Sequence, residues 1–212
     1  MPGIDIHAES QVYSTTIIPM TLKKSKDIRE LCYPFIYEAS PLCDHEIITD
    51  ELCATLGGAI YELEGDERFG DIYDFLCELQ PKIFHLNGSV RGKQAIFEEE
   101  VQWLAKYFDQ YQEEIRGELK GFILPRGPRP VQLLHSCRSQ SKKAIRAMVA
   151  VDAAGIEVPD KLHRFANMLC NLFFRLTVVI NRRLGIIEPL YVSKSYKPKP
   201  SKNNMCPTNH KY

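Results

Sequence analysis

The sequence predicts an all-α fold, a five-helix up-and-down bundle with an irregular N-terminal arm and a flexible C-terminal tail, on the strength of three observations. From about Lys26 onward the apolar residues recur at three- and four-residue steps, the period of a helix and not the alternation of a strand. Turn-forming residues cut that pattern into five pieces, at Gly65, at Asn87-Gly88, at the PRGPRP run of 125–130, between Gly155 and Pro159, and at Gly185. At 212 residues with 44% apolar content the chain can bury one continuous core. The expected organisation is an arm over 1–25, a bundle over 26–188 and a tail over 189–212.

The arm contains VYSTTIIPMTL, whose β-branched residues suit an extended segment. Helices are then predicted near 45–64, 70–87, 94–116, 129–153 and 159–184. Pro81 falls inside the second and should kink it or mark an irregular turn. In the third, Phe97, Val101, Leu104, Phe108, Tyr111 and Ile115 form one apolar stripe opposite a polar face, the pattern of an outer wall. In the fifth, Leu162, Phe165, Leu169, Leu172, Phe173, Leu176, Val179 and Ile180 spread round more of the cylinder, as expected of a helix buried on several sides or at a subunit contact, and the reading taken is a central helix. The tail, KSYKPKPSKNNMCPTNHKY, is basic, Pro-rich and too poor in aliphatics to pack.

Composition excludes several function classes. Lys plus Arg equal Asp plus Glu at 27 each, so no overall field draws the chain to nucleic acid or a membrane surface, and any anion site must be local. Seven cysteines without a C-x-x-C pair suit reduced thiols in the cytoplasm. The opening MPGIDIHAES lacks the pattern of a secretory signal, and the apolar run from Leu169 to Ile180 is too short for a membrane span. No metal set is assigned, although Cys32, Cys43 and His45 form one alternative ligand group. A di-iron bundle would need Glu-x-x-His motifs, and a Walker-type loop would need its glycines; the sequence has neither.

Four segments carry chemistry. After PRGPRP, His135, Arg138, Lys142 and Arg146 share one helix face with Lys143 beside it, a basic stripe that reads either as a solvated surface or as an anion site. On the fifth helix Arg164, Asn167, Asn171 and Arg175 repeat with similar spacing; two asparagines in a buried helix must find partners in a neighbouring helix or a ligand. Asp50 and Glu51 in IITDEL lie near a predicted helix start, where capping the dipole is the plain explanation. Phe122 in GFILP reads, by itself, as core.

Together, TDEL at 49–52, FILP at 122–125, LHSCR at 134–138 continuing as SKKAIR to 146, and FANMLCNLFF at 165–174 resemble the PduO-type ATP:cob(I)alamin (corrinoid) adenosyltransferases, over about 47–183. The resemblance implies a trimeric five-helix bundle with a site between subunits, which moves the 5′-deoxyadenosyl group of ATP, bound with Mg, to the cobalt of a reduced cobalamin or other corrinoid. It implies that Phe122 closes the lower face of the corrin, that Asp50 and Arg138 pair across the subunit boundary, and that His135 stands beside them. Lys142, Lys143, Arg146 and Asn167 fall at nucleotide-side positions, and outside the matched residues Lys23, Lys24 and Lys26 are further candidates to bind phosphate in a remodelled ATP loop. A reductase or a corrinoid-dependent enzyme is the protein partner such chemistry would call for.

The ATP side departs from the family pattern. Where family members have a T-x-T-G-D-x-G loop, the stretch VYSTTIIPMTLKKSKD has no glycine. The cluster R-R-A-E-R becomes Lys142-Lys143-Ala144-Ile145-Arg146, and N-R-L-S-D becomes Asn167-Met168-Leu169-Cys170-Asn171. Lysine neutralises phosphate as a point charge but lacks the bidentate fork of arginine. A non-catalytic corrinoid-binding or corrinoid-delivery protein on the same fold is therefore the alternative reading, and a helical interaction protein the third.

Overall fold

The structure, a computed structural model, describes residues 22–118 and 121–194. Most of the glycine-free stretch and of the arm, the tail from 195, and Cys206 lie outside the described residues. The chain divides into two units, Met1–Glu38 and Ala39–Tyr212. In the first, a short 3₁₀ turn over Ile28–Glu30 is capped by Asp27, whose carboxylate accepts from the Arg29 backbone at 3.0 Å and is paired with the Arg29 guanidinium at 2.6 Å.

The second unit is the bundle: α1 (Pro41–Leu63), α2 (Gly70–Val90), α3 (Glu98–Glu114), α4 (Arg129–Ala153) and α5 (Asp160–Arg183). α1 packs chiefly on α4 and α2, α4 on α5, and α3 on α5. The predicted central helix is α5, where Phe165, Leu172, Phe173, Leu176 and Ile180 are fully buried. They meet Leu52 and Leu56 of α1, Leu76 and Ile83 of α2 and Leu134 of α4 in one hydrophobic cluster. The ring of Phe75 on α2 stacks on Trp103 of α3 and lies tilted against Tyr107, with centroids 5.3 and 4.4 Å apart.

Three boundaries differ from the sequence reading, each for a local reason. α1 starts at Pro41, before the predicted 45, because Ser40 Oγ accepts from the Leu42 N–H at 3.3 Å and proline fits the first helical position. Asp50 therefore sits in the middle of the helix, and capping does not explain it. α2 runs through Pro81 and past Asn87-Gly88, which is helical and not a break; Asn87 Nδ2 donates to Thr49 Oγ1 at 2.8 Å and to the Glu46 carbonyl at 3.1 Å, tying α2 to α1. α3 begins at Glu98, not at 94: Glu100 accepts from the Phe97 N–H at 2.9 Å, making Phe97 an exposed cap and not a member of the buried stripe.

His45 on α1 is fully buried, and neither ring nitrogen has a hydrogen-bond partner among the described residues. Burial lowers its pKa from 6.5 to about 4, partly opposed by Glu46. The folded value is the lower one, so the fold keeps the neutral ring. Above 6.5 neither state holds the proton and stability is full; between 6.5 and about 4 only the unfolded chain takes it up, and stability falls as pH falls. From pH 7 to pH 5 this one group should remove about 2 kcal/mol. Urea unfolding at both pH values should show a smaller difference in His45→Leu than in the parent. An equal difference would mean that His45 is not kept neutral.

Candidate functional site

The stripe on α4 divides into residues held by the protein and residues left for a ligand. Leu134, Cys137, Ser141, Ala144 and Met148 turn into the core, which leaves Arg138 at the edge of that face and directs Lys142 and Arg146 outward. His135 is close to buried, with Nε2 3.8 Å from a Glu188 carboxylate oxygen. Its pKa is lowered to about 4, first by burial and then by the Arg138 charge, so the ring is neutral near pH 7. Arg138 is half-buried, with its guanidinium carbon 5.5 Å from the centre of the Phe174 ring and its buried Nε unpartnered among the described residues.

Three hollows meet along this ridge. The first, about 340 Å³, is lined by Gly121, Phe122, Ile123, Arg138, Lys142, Cys170, Asn171 and Phe174. Phe122 is 82% exposed, so it is not the core residue its apolar character suggests. The loop presents it at the rim of a space with two aromatic rings and two cations. The second hollow, about 430 Å³, shares Arg138 and adds His135, Ser136, Ser139, Gln140, Lys143 and Glu51. The third, about 580 Å³, shares Lys142 and Lys143 and adds Arg146, Asp44, Ile47, Ile48 and Ala147. The first suits a flat apolar ligand with polar edges, and the third suits an anion: three cations face it with one carboxylate.

The structure thus brings Phe122, Arg138 and Lys142 together, and His135, Arg138 and Lys143, and Lys142, Lys143 and Arg146. It does not bring Asp50 onto Arg138 within one chain. Asp50 is exposed on α1, and among the described residues no ion pair joins the two; the neighbouring Glu51 stands 4.0 Å from Lys143. Lys26 is an exposed residue of the first unit.

The asparagines correct an expectation. Asn167 and Asn171 are exposed, not buried: Asn171 lines the hollow of Phe122, and Asn167 donates to the His163 carbonyl at 2.7 Å while lining a further hollow of about 410 Å³ with Ile145, Met148, Asp152 and His163. The two arginines of that series serve the bundle. Arg164 pairs with Glu98 at 2.8 Å, and Arg175 donates to Gln112 at 2.8 Å with its guanidinium carbon 4.8 Å from the centre of the Phe108 ring, both fastening α5 to α3. The alternative ligand group Cys32, Cys43 and His45 finds no support: among the described residues no group of three or more His, Cys, Asp or Glu side chains is placed to hold a metal. Among the same residues no helix is long and apolar enough to cross a membrane.

Sequence reasoning missed Glu188, Cys170 and Phe174 as individual contributors. Cys170 is buried against the first hollow, and burial raises its thiol pKa. Glu188 follows the last helix and could not be paired with His135 from spacing.

The cobalamin adenosyltransferase family matches residues 47–180. A corrinoid adenosyltransferase of Bacillus subtilis (strain 168) is 34% identical over 147 residues, covering 67% of this chain and 75% of its own. A cobalamin adenosyltransferase of Cupriavidus metallidurans is 32% identical over 144 residues, covering 67% and 76%. Among solved structures, a variant PduO-type ATP:co(I)rrinoid adenosyltransferase from Lactobacillus reuteri complexed with ATP superposes with a TM-score of 0.65 at 22% identity, covering 74% of this chain and 90% of that one. Another variant of the Lactobacillus reuteri enzyme, complexed with cobalamin and ATP, gives 0.64 at 20% identity, with the same coverage. At those identities the structural similarity establishes the fold.

Proposed function

Since the chain belongs to the cobalamin adenosyltransferase family, we propose that it transfers the 5′-deoxyadenosyl group of ATP to the cobalt of a reduced corrinoid, in a cleft completed by a second copy of itself. The observation that carries this reading is the first hollow, where an exposed aromatic ring, Phe122, and the guanidinium of Arg138, which forms no ion pair among the described residues, line one space. Burying the Phe122 ring against a corrin would contribute about 2 kcal/mol. More important, an apolar ring on the lower face leaves no room for a ligand donating to cobalt from below. Without that donor the acceptor orbital of Co(II) falls, and an external one-electron reductant takes the metal to Co(I) more easily. Co(I) then attacks the 5′ carbon with an electron pair, the Co–C bond forms, the C–O bond to phosphate breaks, and triphosphate leaves with its pair.

Lys142, Lys143 and Arg146, facing the third hollow, are the residues to bind and neutralise the triphosphate as negative charge builds on it. Asn167 stands one helix away for the nucleoside. Asp50 of a second copy pairs with Arg138, in a homotrimer whose three sites each use both surfaces. Neutral His135 carries no charge to repel the guanidinium beside it. A cytoplasmic location fits the need for reduced corrinoid and free thiols.

The direct test mixes purified protein with ATP, Mg and a chemically reduced corrinoid. Adenosylcorrinoid and triphosphate should form in equal amounts, and light scattering should give three times the 24.3 kDa of one chain. Calorimetric binding of corrinoid, without binding of ATP and without product, would favour the delivery protein instead.

A further inference from the structure

The loop that carries Phe122 lies between α3 and α4 and has no helix or sheet among its described residues, yet its backbone is fastened at several points by the end of α5 and the residues that follow. Asn181, 1% exposed, donates from Nδ2 to the Arg126 carbonyl at 2.7 Å, while its own backbone carbonyl accepts from the Ile186 N–H at 2.8 Å. Gly127 passes directly under it with φ of +151°; a Cβ there would stand 2.6 Å from Asn181 Oδ1 and 2.7 Å from Val131 Cγ1. That backbone angle and that clearance both demand glycine. Beyond α5 the chain turns back and pairs antiparallel with the loop. The Leu124 N–H donates to the Pro189 carbonyl at 2.8 Å, and the Tyr191 N–H donates to the Phe122 carbonyl at 2.7 Å. Glu188, just before Pro189, accepts from the Arg126 N–H at 3.3 Å and faces His135 on α4.

Residues 189–191, which composition places at the start of the tail, are therefore engaged with the loop. The Phe122 side chain, mostly exposed, has little packing of its own to fix it, so its position is set by what holds its backbone. We infer that Asn181 and the 186–191 segment are a positioning device for the corrin-facing aromatic ring: Asn181 pins the loop where it enters α4, and the Tyr191 N–H pins it at Phe122 itself. Asn181 does not line the hollow of Phe122, so it acts through the loop and is not a catalytic residue. A ring that must exclude a ligand from one face of cobalt has to be held in place before binding, because freedom lost on binding is subtracted from the interaction.

This inference rests on the proposed role of Phe122, and the experiment separates the two. Asn181→Ala and Tyr191→Pro are each made alone and combined with Phe122→Ala; proline removes the donor to the Phe122 carbonyl on an exposed segment outside the helices, so the bundle folds even where Asn181→Ala does not. Adenosylation is measured from Co(II) corrinoid with an external reductant, together with the fraction of bound Co(II) that shows the spectrum of cobalt without a lower axial ligand. Each single variant should lower kcat about tenfold with KM for ATP unchanged, and should lower that spectral fraction. Added to Phe122→Ala, neither should cost more than about twofold, because the ring to be positioned is gone. Losses that multiply in the double variants, or single variants as active as the parent while Phe122→Ala is impaired, would overturn the positioning role alone. A Phe122→Ala protein as active as the parent would overturn the reading of Phe122 and the positioning role with it.

Discussion

Replacing Arg138 with alanine is expected to lower kcat/KM for corrinoid adenosylation about 100-fold or more, while the midpoint of thermal unfolding falls by only about 2–4 °C. The two numbers come from different surroundings of one side chain. Within its own chain Arg138 is half-buried and lies over the Phe174 ring, a contact of about 1 kcal/mol, and forms no ion pair among the described residues. In the proposed shared site its charge would meet Asp50 of a neighbouring copy in a partly desolvated cleft, where removal would strand a carboxylate at a cost of about 3–5 kcal/mol. Assay and calorimetry on the same preparation measure both. Losses in proportion would mean that Arg138 is a packing residue.

Phe122→Ala should be the sharper case, because its ring contributes almost nothing to the fold. At 82% exposure its removal should change stability by about 0.5 kcal/mol at most. Its expected effect is chemical and selective. With Co(II) corrinoid and an external reductant the rate should fall about 100-fold, since a ligand can return to the lower face and the metal resists reduction. With corrinoid supplied as Co(I), which has no axial ligand to exclude, the loss should be much smaller. An equal loss with both oxidation states would assign Phe122 to binding and not to control of cobalt coordination.

The bundle was legible in the sequence because each helix presents an apolar face of period 3.6, and α5, with apolar residues on several sides, declared itself central. Errors fell where one side chain outweighed periodicity. Ser40 starts α1 early through a single cap, Glu100 delays α3 by accepting from Phe97, and Asn87 carries α2 through an Asn-Gly pair by donating to Thr49. Half of the site was equally legible: Arg138, Lys142 and Arg146 share a face because of their spacing, and the structure lines adjoining hollows with them. The exposure of Phe122, Asn167 and Asn171 was not, because apolar or amide character does not say whether a neighbour covers a residue. Nor was the contact of 189–191 with the Phe122 loop, since two backbone hydrogen bonds between segments far apart in sequence leave no periodic trace.

The claim that two copies build each site is tested most directly by mixing inactive partners. Asp50→Ala and Arg138→Ala proteins are unfolded together, refolded as mixed assemblies and assayed beside each variant treated alone. Sites formed where an intact Asp50 from one chain meets an intact Arg138 from another should restore a substantial fraction of parental activity, although neither variant alone is active. Mixed assemblies that form and stay as inactive as the separate variants would contradict a site shared between subunits.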